Sequence, residues 1–120
     1  MERTRFITHR DTRILVVDFS GIEELDELAR EGERVSLVIR AEPPDSLRLL
    51  IDFTGVPYNL RVVRVLAEIA EGNADHVRAR AMVGIPQTAL PSVRAVSEYT
   101  RRPAEAFADR DAALEWLVLQ

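Results

Sequence analysis

Two seven-residue segments, Val16-Val17-Asp18-Phe19-Ser20-Gly21-Ile22 and Leu50-Ile51-Asp52-Phe53-Thr54-Gly55-Val56, match class for class thirty-four positions apart. Each holds a carboxylate, a hydroxyl two residues later and a glycine. An Asp at the end of a strand can accept N–H bonds from the turn that follows, and glycine lets the chain reverse. Two copies are too few for a solenoid, which needs about three stacked units. They read instead as equivalent strand-to-helix corners of one sheet. Ligands of open α/β sheets gather outside the carboxyl ends of the strands, so Asp18, Ser20, Asp52 and Thr54 are candidate binding residues. Tyr58 and Asn59, in the loop after the second copy, extend the set, as does Gly84 in a third loop. Ser20 and Thr54 are also candidate phosphorylation sites, being short hydroxyls at turns. The competing reading leaves all of these as turn-capping residues with no ligand.

Catalysis is not expected. A nucleophilic mechanism needs a hydroxyl, a base and an orienting acid held together. The two histidines, His9 and His76, sit in no recognisable local motif, and the chain has neither a His-x-x-x-His pair nor a glycine-rich phosphate loop. The absence of cysteine removes thiolate chemistry, thiolate metal sites and disulfides. All sixteen basic residues are Arg, which removes Schiff-base and P-loop lysine mechanisms. No cofactor and no metal are expected. With twenty acids against sixteen arginines, net charge −4, and the arginines interspersed among acids, nucleic-acid binding is not expected either.

Leu, Ile, Val and Phe supply 37 of the 120 residues, enough for one real core, so a disordered chain is excluded. No apolar run exceeds four residues, which leaves no integral membrane segment and no signal-peptide core. The expectation is a soluble, cytoplasmic single domain over residues 1–120.

The elements that must position these residues follow from periodicity. Phe6 to Asp18 reads as two short β-rich runs separated by a polar turn, a hairpin opening the fold. Apolar residues at helical spacing predict a helix from about Glu23 to Arg40, with a rival in which Gly32 breaks it and Val35–Ile39 form a strand. Pro43-Pro44 ends either version. Leu47–Asp52 is a strand, and Leu60–Glu71 a helix whose Arg61, Arg64, Glu68 and Glu71 form one polar stripe. Its other positions are apolar, a face for intramolecular burial or for a partner subunit. Arg78–Val83 is a strand, Pro91–Thr100 a helix and Ala106-Phe107 a short edge strand. Asp109 caps a last helix. Alternation of this kind specifies an α/β fold with a mainly parallel sheet.

The order and spacing of Ile7-Thr8-His9, the two corners, Ala81-Met82-Val83-Gly84 and Phe107–Leu117 resemble the SpoIIAA-like branch of the STAS domains over essentially the whole chain. The resemblance implies a β-α superhelix of four to five strands with about four helices, a fold related to the Sec14/CRAL-TRIO domains. It also implies a non-catalytic regulatory module akin to anti-sigma-factor antagonists, docking a protein partner or a second copy through the loop and helix after the third strand. Those antagonists carry a phosphorylated serine at the start of that helix. Here the segment reads Pro57-Tyr58-Asn59-Leu60-Arg61, with no Ser or Thr at that place, so the switch does not carry over to a named residue; Tyr58 could accept phosphate chemically but reads as a packed or rim aromatic. The alternative that the resemblance leaves open is a small-molecule or lipid-binding module of Sec14-like fold, taking a small apolar ligand.

Overall fold

The computed structural model describes residues 2–120, and in it the chain forms five strands and four α-helices. The strands are β1 (Thr4–His9), β2 (Thr12–Asp18), β3 (Leu47–Asp52), β4 (Val77–Val83) and β5 (Ala104–Phe107). The helices are α1 (Leu25–Arg40), α2 (Leu60–Gly72), α3 (Leu90–Thr100) and α4 (Arg110–Leu117). The sheet runs β1-β2-β3-β4-β5, antiparallel in its first pair and parallel thereafter. The opening hairpin turns on Arg10 and Asp11, both at positive φ, the backbone of a tight turn that follows the twist of its strands.

Side chains of the central strands alternate between two cores. Leu15, Val17, Leu49, Ile51 and Met82 point toward α1, α2 and α3. Ile14, Val16, Leu50, Ala79, Ala81 and Val83 point toward α4. Three helices therefore cover one face and one helix the other. In α1 the chain stays helical through Gly32, where a Cβ would lie 2.3 Å from the Ile69 side chain of α2. Glycine marks a close helix crossing there, and the strand alternative for Val35–Ile39 falls. The helix begins at Leu25, two residues later than its apolar spacing suggests.

Beyond α2, Asn73 is buried and ties the helix ends together. Its amide donates to the Ser36 hydroxyl at 2.9 Å and its Oδ1 accepts from Arg40 Nε at 3.1 Å. The carboxyl end of α2 is thus pinned to α1.

Candidate functional site

The twin corners emerge side by side. Asp18 and Asp52 are register partners in the β2–β3 pair, and the ladder continues past them as Phe19 N donates to Asp52 O and Gly21 N to Thr54 O. In each corner Asp Oδ1 accepts the amide two residues on, Ser20 N or Thr54 N, at 2.9 Å, and the Thr54 hydroxyl adds a 2.7 Å bond. Gly21 and Gly55 take the positive φ that closes the turn. Gly84, also at positive φ, lies against Thr54 so closely that a Cβ would stand 2.5 Å from the Thr54 amide nitrogen. Only glycine fits there.

Arg110, the first residue of α4, completes this rim. Its Nε and Nη2 donate to Asp52 Oδ2 at 3.1 and 2.8 Å, and Nη2 lies 3.7 Å from Asp18 Oδ2. Burial alone would raise the Asp52 pKa; the Thr54 hydroxyl and amide and the Arg110 guanidinium outweigh it and hold the carboxyl below its ordinary value. The carboxylates of the rim are therefore already occupied by their own turns and by one arginine. Arg110 is invisible to local reading, since its partner lies 58 residues away. The cap next to it is not: Asp109 Oδ1 accepts from Ala112 N at 2.9 Å, which sets where α4 starts.

The same corners turn their aromatic residues to the opposite face. Phe19 and Phe53, ring centroids 5.8 Å apart, border a cavity of ≈ 240 Å³ between the sheet, α2 and α3. Asn59 accepts from Val62 N and so caps α2. That amide occupies the helix start where the resemblance calls for a serine. Tyr58, one residue earlier, shares a 2.9 Å hydrogen bond with Ser92 of α3, joining the two helices where the cavity meets the sheet's carboxyl edge. Along α2 only Val62 is buried, while Val63, Leu66, Ala67 and Ala70 line the cavity. The apolar face of this helix thus looks inward across an open space.

The sequence-derived residues accordingly divide. Asp18, Ser20, Asp52 and Thr54 meet at the α4 side of the rim, Asn59 caps α2, and Tyr58 and Gly84 border the cavity. His9 pairs with Glu115 and His76 with the Glu42 carbonyl, both at the opposite edge of the sheet from the twin corners. Among the described residues no three His, Asp or Glu side chains gather as a metal site requires, and no helix is long and apolar enough to cross a membrane.

One lining residue escaped the sequence reading altogether. In β4, Val77 pairs with Leu47 but Ala79 with Arg48, so Arg78 is an extra residue in the strand. Such a bulge shifts the alternation of side chains by one. Arg78 faces the α4 side and reaches the Gln120 carbonyl, whereas Arg80 turns into the interior beneath α2. Strict alternation would have put both arginines on one polar face.

Five strands in sequence order, an antiparallel opening pair and helices divided three to one define a SpoIIAA-like fold, as the motif order led one to expect. The chain is similar in structure to an uncharacterized protein of the DUF3478 family with a SpoIIAA-like fold from Shewanella loihica PV-4, with a TM-score of 0.75, 95% of this chain and 91% of that one covered, and 16% identity. No family model matches the chain, and no curated protein does.

Proposed function

We propose that the protein is a non-catalytic binding module that takes a small apolar ligand between α2, α3 and the sheet. The cavity is the observation that carries this reading. It is walled mainly by Val, Leu, Ile, Phe, Met and Ala side chains, with few polar groups, the composition of a small-molecule site. Its roof, α2, is fixed at the carboxyl end by the Asn73 bonds, while its first turn carries the 73% exposed Leu60. The start of α2 is tied to α3 through the exposed Tyr58–Ser92 hydrogen bond, and parting that bond would admit a ligand beneath the helix. The two histidines lie at the far edge of the sheet from the hydroxyls of the corners, which supports binding without catalysis.

The test is a neutral apolar probe. Adding decan-1-ol should move the methyl resonances of Leu66, Met82 and Val93, and Ala67→Leu, which fills part of the space, should weaken that binding. Shifts confined to the outer face of the protein, or none, would remove the ligand reading.

A second reading has its own observation. Tyr58 and Leu60, 44% and 73% exposed, stand next to each other at the start of α2, which suits docking of a protein partner or a second copy. If Leu60→Asp abolishes a concentration-dependent dimer in sedimentation, that surface is an interface between copies. A monomer at every concentration removes the second-copy version.

A further inference from the structure

Arg80 is 2% exposed and is the one charged residue among those lining the cavity. Its Nη2 donates to the Ala70 carbonyl in the last turn of α2 at 3.0 Å, and its Nη1 is buried with no partner. No carboxylate lies within ion-pair distance of it among the described residues. A cation taken out of water without a counter-charge is costly, and natural chains pair or remove it. Holding one helix carbonyl uses a single donor of the five that a guanidinium offers. A structural role therefore leaves most of this group unexplained.

We propose that the ligand is an apolar monocarboxylate whose carboxylate sits on the Arg80 guanidinium and whose hydrocarbon body runs toward Tyr58 and Ser92. The inference rests on the reading of the cavity as a ligand site and names the ligand's chemistry. A guanidinium presents parallel N–H groups that match the two oxygens of a carboxylate. One cation balances one negative charge; a phosphate monoester would bring a second charge into an apolar space with nothing to meet it. Burial pushes the Arg80 pKa down to about 10, with Tyr99 partly opposing and Arg102 adding repulsion, so the group stays charged at neutral pH. Arg80 lies three residues before Val83 at the sheet's carboxyl edge, a run of about 10 Å at ~3.3 Å per residue. The ≈ 240 Å³ of open space holds about eight heavy atoms at the ~30 Å³ of a liquid water. That is about six carbons beside the two carboxylate oxygens, so a ten-carbon chain fills the space and its far end passes Tyr58 and Ser92 at the carboxyl edge.

Calorimetric titration of the protein near neutral pH with decanoate, decan-1-ol and decyl phosphate tests this. Decanoate should bind about tenfold or more tightly than either of the others, as a charge-assisted pair in a dry site would give. In Arg80→Met the acid should lose its advantage, the ratio of its affinity to that of decan-1-ol falling to about one. If the unaltered protein binds alcohol and acid equally, or prefers the phosphate, the carboxylate assignment is overturned and the cavity reading stands. If none of the three binds, the cavity reading falls and takes this inference with it. An Arg80→Met protein that melts earlier yet keeps the acid preference would show Arg80 to be structural only. Should that variant fail to fold, the three-probe comparison on the unaltered protein still decides.

Discussion

On the α4 face of the sheet, Ala79 and Ala81 on β4 and Ala113 on the helix let backbone approach backbone, and Leu117 fills what remains; on the other face α2 stands over a cavity of ≈ 240 Å³. The two helices differ in how their ends are held. Arg110 ties the first turn of α4 to Asp52 and Asp18, and toward its end the Trp116 ring packs tilted against Phe107, centroids 5.4 Å apart. The first turn of α2 is held through its capping residue and the Tyr58–Ser92 bond, whereas its last turn is pinned by Asn73 and Arg80. The difference teaches that the hollow side belongs to a specific arrangement. The sheet is capable of tight packing, and the α4 face shows it.

The largest effect should come from opening the closed face. Leu117→Ala removes a fully buried side chain from α4 where rigid neighbours cannot close the gap, so it should cost about 2–5 kcal/mol in urea unfolding. Ala113→Leu tests the same face by overfilling it. With Ala113 fully buried, the added carbons should cost about 1–3 kcal/mol. If either substitution proves neutral, the two faces are not differently packed.

Asp52→Asn probes the tie that holds α4 down. The amide can still accept from the Thr54 turn but sets an N–H₂ against Arg110, so the loss should be about 1–2 kcal/mol at neutral pH. The sign with pH follows from the lowered folded pKa of Asp52. Its stabilisation is present above the ordinary carboxylate value of ~3.9 and is lost as the pH falls through the lower folded value. The gap between the unaltered protein and Asp52→Asn should therefore narrow in acid. A gap that stays constant down to the acid transition would mean that Asp52 does not carry the tie.

How much of this was legible depends on the range over which each feature is encoded. The corners are written within four residues: Asp18 and Asp52 reach their own turns, and Gly21 and Gly55 supply the φ, so their pairing followed from the repeated pattern. Asp109 announced α4 for the same reason. Three features were not written locally. Arg110 meets Asp52 only because β5 returns the chain to the sheet. The bulge at Arg78 depends on how β4 registers with β3, and strand periodicity alone assigns Arg80 to the wrong face. The cavity is an absence, set by how far α2 stands from β3 and β4, and no residue type signals a gap. The apolar stripe of α2 reads alike over a filled space and an empty one.

The smallest effect is the sharpest test of the contrast. Ala67 lines the cavity from α2, and its carbonyl accepts the Tyr99 hydroxyl at 3.4 Å through the backbone, which a side-chain change leaves in place. Ala67→Leu adds to the sheet-facing side of α2 the same three carbons that Ala113→Leu adds to α4. Both substitutions sit on helices, and both residues favour helical backbone, so propensity does not separate them. Only the space in front of the new side chain differs. On α2 the leucine should find room and raise stability by about 0.5–1 kcal/mol, as cavity-filling changes do, read as a shift of the urea midpoint at constant slope. A loss of similar size to that of Ala113→Leu would mean that α2 is already packed against the sheet, and the distinction between the two faces would disappear with it.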